Sequence, residues 1–112
     1  MTSLLRRRPV GEILRSRSDA RRAELRPQVE RALVELRRRG VTCEIIGSFA
    51  RESAFFDAGS DLDILIESHP GLSETEVWDV AWSNLPDVDV DLVFADQLPP
   101  LKVSLMKEGA RG

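Results

Sequence analysis

The sequence predicts an α/β (α+β) domain: one small mixed β-sheet flanked by helices. Three observations carry that prediction. Leu25, Val29, Ala32, Leu33 and Leu36 recur at helical spacing. Short β-branched or alternating runs follow at 41–46, 61–67 and 88–94. A capping-box match, Ser73-Glu74-Thr75-Glu76, opens a helix between the second and third of these runs.

The first helix should close near Arg39, because Gly40 follows where a left-handed terminating residue is favoured. Ser18-Asp19 is a plausible cap for it, although the stretch from Val10 to Arg15 also reads as helical. Pro27 either kinks one long helix or opens a second, and the sequence leaves both readings open. An Arg-rich helical segment over about 10–39 is therefore expected. Residues 41–46 lie between two glycines and read as a strand. In 61–67, Leu62, Ile64 and Ile66 fall on one face and Asp61, Asp63 and Leu65 on the other. The helix from Ser73 should run to about Asn84. In 88–94, Val88, Val90 and Leu92 alternate with Asp89, Asp91 and Val93. Pro99-Pro100 breaks the chain before a terminal helix at about 101–108.

Length and composition narrow the classes. The 112 residues suit a single domain, 1–112. No stretch approaches the roughly 20 apolar residues of a membrane span. The apolar run after Arg6-Arg7-Arg8 is broken at Gly11 and Glu12, so no secretory leader is expected. The single Cys43 cannot form an internal disulfide, and a reducing cytoplasm is the expected location. The net charge of −3 hides a split: residues 1–39 carry twelve Arg and five acids, residues 40–112 four basic residues and fourteen acids. A nucleic-acid arm is disfavoured, because no aromatic residues accompany the arginines and Glu residues interleave them; a solvated helix face is the simpler expectation.

The chemistry concentrates in two segments and one later acid. Asp61 and Asp63, two apart on a strand, aim both carboxylates at one face, where they repel unless a cation neutralises them. Such hard oxygen donors suit Mg²⁺, and Asp91, on a strand of the same alternation, offers a third ligand. Three such acids can hold two ions for an in-line displacement at phosphorus. Upstream, Gly47-Ser48 follows a strand directly, and a Gly-Ser turn lets backbone amides and a hydroxyl approach phosphate oxygens. Arg51 is near enough to add positive charge there. Taken singly, each feature has a plain alternative: a half-exposed strand face, or an ordinary strand-to-helix turn.

Together, Gly47-Ser48-Phe49-Ala50-Arg51, Ser60-Asp61-Leu62-Asp63 and Val90-Asp91-Leu92-Val93 resemble the minimal nucleotidyltransferase family of the DNA polymerase β-like superfamily. Val10-Gly11-Glu12-Ile13-Leu14-Arg15 and Leu98-Pro99-Pro100 resemble the ends of such proteins, so the likeness spans nearly the whole chain. It implies a nucleotidyltransferase-like fold. It also implies that Gly47 and Ser48 hold the β- and γ-phosphates of ATP, and that Asp61 and Asp63 bind two Mg²⁺ ions. Asp91 would ligate the catalytic ion and help activate the attacking hydroxyl. The implied role is an antitoxin that adenylylates a HEPN-type toxin on tyrosine. The alternative is a non-catalytic antitoxin that neutralises its partner by contact alone. The chain departs from the family pattern in the twelve residues from Phe49 to Ser60 and in Glu52 after Arg51.

Among the remaining residues, Asp89 shares a face with Asp91 but is expected to be a solvent-facing neighbour, and Asp87 and Glu67 are weaker candidates. Trp78 and Trp82 stand one turn apart and suit either core packing or a partner contact. One of Phe55 and Phe56 is expected to be a lid or contact residue. His69 is expected to be solvated, and Cys43 to be a small core residue.

Overall fold

The computed structural model describes residues 10–51, 54–57 and 59–111; Arg6 to Arg8 and Glu52, singled out in the sequence, lie outside them. In chain order the elements are α1 (Val10–Arg38), β1 (Thr42–Ile46), α2 (Gly47–Ala50), β2 (Leu62–Ser68), α3 (Glu74–Asn84), β3 (Val90–Phe94), a 3₁₀ turn (Ala95–Gln97) and α4 (Pro100–Arg111). The strands form one mixed sheet in the order β1-β2-β3, with β1 antiparallel to β2 and β2 parallel to β3. The parallel pair requires a crossover, and α3 supplies it. The expected α/β fold of a small mixed sheet flanked by helices is what the chain adopts.

α1 is one helix that runs through Pro27. Ser18-Asp19 is therefore not a cap but lies well inside the helix, and Pro27 opens no second one. Packing decides this against local preference. Leu25, Val29, Ala32 and Leu36 are buried in a single stripe on both sides of the proline, which is itself exposed. Gly40 follows with φ +86°, the left-handed residue expected past the helix end. At α3 the capping box forms in full: Ser73 Oγ accepts from Glu76 N at 3.2 Å, and Glu76 Oε1 accepts from Ser73 N at 3.1 Å. β3 begins at Val90 rather than Val88, because residues 86–88 are occupied by a turn tied to α1. There Gln28 Nε2 donates to Asp87 Oδ2 and Arg21 Nη2 donates to Asp87 O, both at 2.6 Å.

The two faces of the sheet are covered differently. Cys43, Leu62, Ile64, Ile66, Leu92 and Phe94 join the residues of α1 and α3 in the main core. Ile46 and Leu65 are buried outside that cluster. They point to the opposite face, where α4 packs against β1 and α2. Lys107 of α4 fastens that side, reaching Glu67 Oε1 at 2.7 Å and Glu44 Oε1 at 3.3 Å. Alternation along β2 thus puts Asp63, Leu65 and Glu67 on the α4 face, where Lys107 engages Glu67. Among the described residues, no helix is long and apolar enough to cross a membrane.

A proline inside a helix removes one hydrogen bond and crowds the preceding turn. Pro27→Ala should therefore stabilise the domain by about 1–2 kcal/mol, after allowing for the stiffer unfolded chain that proline gives. A denaturant titration reads this as a higher midpoint at unchanged slope; an unchanged or lower midpoint would contradict it.

Candidate active site

Residue 46 pairs with Asp63 across β1 and β2, so the chain leaves β1 directly beside the Asp63 carboxylate. It turns there through Gly47, at φ +73°, a backbone region that side chains rarely adopt. A Cβ on Gly47 would overlap Asp63 Oδ2 and lie 3.2 Å from its Cγ. Glycine is thus required twice, by conformation and by contact. Ser48 follows half-buried, and its hydroxyl hydrogen-bonds to no described residue. Arg51 ends α2 exposed to solvent and forms no ion pair with a described residue.

The parallel register of β2 and β3 sets Asp63 opposite Asp91 on the same face. Asp61 stands just before β2, exposed, at the end of an Asp57–Ser60 turn closed by Ser60 N donating to Asp57 O at 3.1 Å. Asp57 Oδ1 accepts from Gly59 N at 2.9 Å and steadies that turn. Neither Asp61, Asp63 nor Asp91 forms an ion pair with a described residue. The consequence falls on Asp63, the most enclosed of the three. Burial first, then the Asp91 charge, then that of Asp61, push its pKa above the ordinary carboxylate value.

This donor set is all hard oxygen and suits Mg²⁺ in kind. Among the described residues, however, no three His, Cys, Asp or Glu side chains converge enough to hold a metal ion by themselves. An ion here would take part of its shell from phosphate and water, which is the ordinary habit of Mg²⁺. The residues expected from the sequence are thus assembled in part: Asp63 lies beside both Gly47 and Asp91, Asp61 stands just outside β2 and adds to the upward push on Asp63, and Ser48 and Arg51 follow the turn.

One residue of this region was not visible in the sequence. Arg22 is 4% exposed, and its guanidinium donates to backbone carbonyls of the segment after the turn. Nε reaches Phe49 O at 3.1 Å, and Nη2 reaches Ser48 O at 2.7 Å, Arg51 O at 2.8 Å and Ala54 O. One turn earlier, Ser18 Oγ accepts from Phe56 N at 2.8 Å. A signal did exist. Ser18 and Arg22 extend the Leu25–Val29–Ala32–Leu36 stripe backward at the same spacing, so both belong to the buried face rather than the solvated one.

The secondary candidates also find their places. Asp89 is exposed before β3, its carbonyl accepting from Leu62 N at 2.8 Å, and Glu67 is engaged by Lys107. His69 is not simply solvated: Nδ1 lies 2.8 Å from Leu72 O and the ring packs edge-on against Phe94. Cys43 is buried, which pushes its thiol pKa up. Phe56 is fully buried in edge contact with Phe49, and Phe55 is the exposed one of the pair. Trp78 packs partly against the core while Trp82 is 58% exposed beside it, so the stripe serves both readings. Compared with protein-family models, characterised proteins and solved structures, the chain matches none.

The raised pKa of Asp63 has a definite sign. Unfolding returns it to a lower value, so the folded state loses stability as pH rises through the interval from the unfolded to the folded pKa. In the absence of divalent ions, Asp63→Asn should raise the melting temperature at neutral pH, and the gain should shrink toward acidic pH. A gain that persists at low pH would exclude the carboxylate charge as its cause. Gly47→Ala should lower stability by about 1–3 kcal/mol through backbone strain and the clash with Asp63; parental stability in a melting scan would contradict that.

Proposed function

We propose that this chain is a metal-dependent nucleotidyltransferase that passes a nucleoside monophosphate from ATP to an acceptor on another protein. The observation that carries the reading is Asp63, wedged between the Gly47 backbone and Asp91 with no described basic partner. Such an arrangement is unfavourable for the chain alone and favourable once a cation and a phosphate chain fill it. Asp63, Asp91 and Asp61 would hold Mg²⁺, which supplies charge neutralisation at the phosphates and lowers the pKa of a bound hydroxyl.

The chain's own groups divide the remaining work. The amides and hydroxyl of Gly47-Ser48 donate to the β- and γ-phosphate oxygens, which leave as pyrophosphate. Arg51 adds charge at the mouth. Asp91 would accept the proton of the attacking hydroxyl. The acceptor oxygen bonds to the α-phosphorus as the bond to the pyrophosphate oxygen breaks. The chain contains no tyrosine, so a tyrosine acceptor lies on another molecule. The likeness of the three segments to minimal nucleotidyltransferases extends the proposal to an antitoxin that adenylylates a HEPN-type ribonuclease toxin.

A second reading is favoured by the incomplete convergence of the acids: a subunit that neutralises its partner by contact and performs no transfer. Labelled ATP with Mg²⁺ and the candidate toxin separates the two. Nucleotidyl transfer predicts label on the toxin, reduced about 100-fold or more in Asp63→Asn. A stable complex that carries no label would overturn the enzymatic reading in favour of the contact one.

A further inference from the structure

A buried arginine usually faces a carboxylate, and Arg22 does so only loosely. Its Nη1 stands 3.7 Å from the Oδ1 of an exposed Asp19 and hydrogen-bonds to no described group. Its donors go instead to four carbonyls, those of Ser48, Phe49, Arg51 and Ala54. The reason lies in the length of α2. The last four carbonyls of any helix lack an intrahelical partner, and α2 has only four residues. The planar fork of Arg22 supplies donors from α1 to the Ser48 and Phe49 carbonyls left over at its end, and beyond it to Ala54 O and to Arg51 O, which also accepts from Ala54 N at 2.9 Å. A cation at this end also complements the negative pole of the carbonyl array.

Ser18 adds the second tie, at Phe56 N, and the Phe56 ring lies under the guanidinium, 5.9 Å from Cζ to centroid. Ser48, Phe49, Arg51, Ala54 and Phe56 are thus tied to two side chains one helical turn apart on α1. Its other end is Gly47, pressed against Asp63. In a unit of four residues, fixing the carbonyl end fixes the direction of the amides at the opposite end.

We propose that Arg22, assisted by Ser18, is a positioning residue for nucleotide binding: it holds the backbone at Ser48, Phe49, Arg51 and Ala54 so that the Gly47-Ser48 turn presents its donors beside Asp63. This rests on the nucleotidyl-transfer reading. It touches no substrate itself and acts through the backbone of the turn. Arginine is required over lysine, because an ammonium lacks the spread fork that spans several carbonyls at once.

The test uses the full chain with Arg22→Lys, and Arg31→Met as a substitution at an exposed position of the same helix. MgATP affinity is measured by calorimetry, KM and kcat by label transfer, and amide hydrogen exchange is followed over 48–56 and over β2. Arg22→Lys should weaken MgATP about tenfold, as loss of charge-assisted bonds to the turn requires. KM should rise by a similar factor with kcat within about threefold, because the turn grips phosphates equally before and during transfer. Exchange should quicken over 48–56 and not over β2, and Arg31→Met should match the parent. A folded Arg22→Lys with parental KM and parental exchange over 48–56 would overturn the proposal. Should Arg22→Lys fail to fold, Ser18→Ala decides: MgATP affinity lowered several-fold supports the proposal, and parental affinity overturns it. A parent chain that binds no MgATP overturns the transferase reading and this role with it, an outcome distinct from a binding parent with an indifferent variant.

Discussion

The contact between the Gly47 backbone and the Asp63 carboxylate is the constraint around which the rest of this domain is arranged. It requires β1 to end where Asp63 pairs with it, and it requires a residue without a Cβ at φ +73°. It also puts a carboxylate against a backbone turn while the parallel register brings Asp91 alongside. Like charges set this close, without a basic partner among the described residues, make the folded state less favourable at neutral pH than an apolar pair would be. The stability of the domain therefore comes from elsewhere, from the stripe of α1 against α3 and the sheet, and the site is carried by that surplus.

Much of the fold was legible because its signals are local or periodic. The capping box at Ser73 and Glu76 acts within four residues, so it forms as expected. Alternation in β2 sorted Leu62, Ile64 and Ile66 from Asp63 and Leu65 onto opposite faces, while Asp61 falls just outside the strand. What failed is long-range. Nothing near Ser18 shows that its hydroxyl is committed to Phe56, 38 residues away, so it read as a cap. At Pro27 local propensity left one long helix and a second helix both open, and the buried residues on either side of it decide for one helix by binding both halves of α1 to one core. Phe56 rather than Phe55 is the core residue for the same reason: its partners Phe49 and Arg22 come from other elements.

The site was legible in its residue types and spacing and less so in its closure. Spacing predicts Asp61 and Asp63 on one face, and the sheet register sets Asp91 opposite Asp63, but Asp61 lies outside β2, at the end of a turn. Its effect on Asp63 is smaller than that of Asp91. The Gly-Ser turn was legible as a backbone approach, and the structure identifies what it approaches: a carboxylate of the same site.

The arginines of α1 divide the labour that their number obscured. Most are exposed, as a solvated face requires, and their charge is screened over about 10 Å in ordinary salt. Arg22 alone among the described arginines is buried, and its charge is directed to carbonyls rather than acids. It does not figure among the charges acting on Asp63, whose pKa is set by burial, Asp91 and Asp61. Had the guanidinium reached Asp63, it would have neutralised the carboxylate and closed the position to any other cation. It meets the carbonyls of Ser48, Phe49, Arg51 and Ala54 instead and leaves the carboxylates uncompensated. A glycine turn beside unneutralised acids suits a ligand carrying its own positive charge together with acceptor oxygens, which is why the proposed substrate is a metal-bound triphosphate.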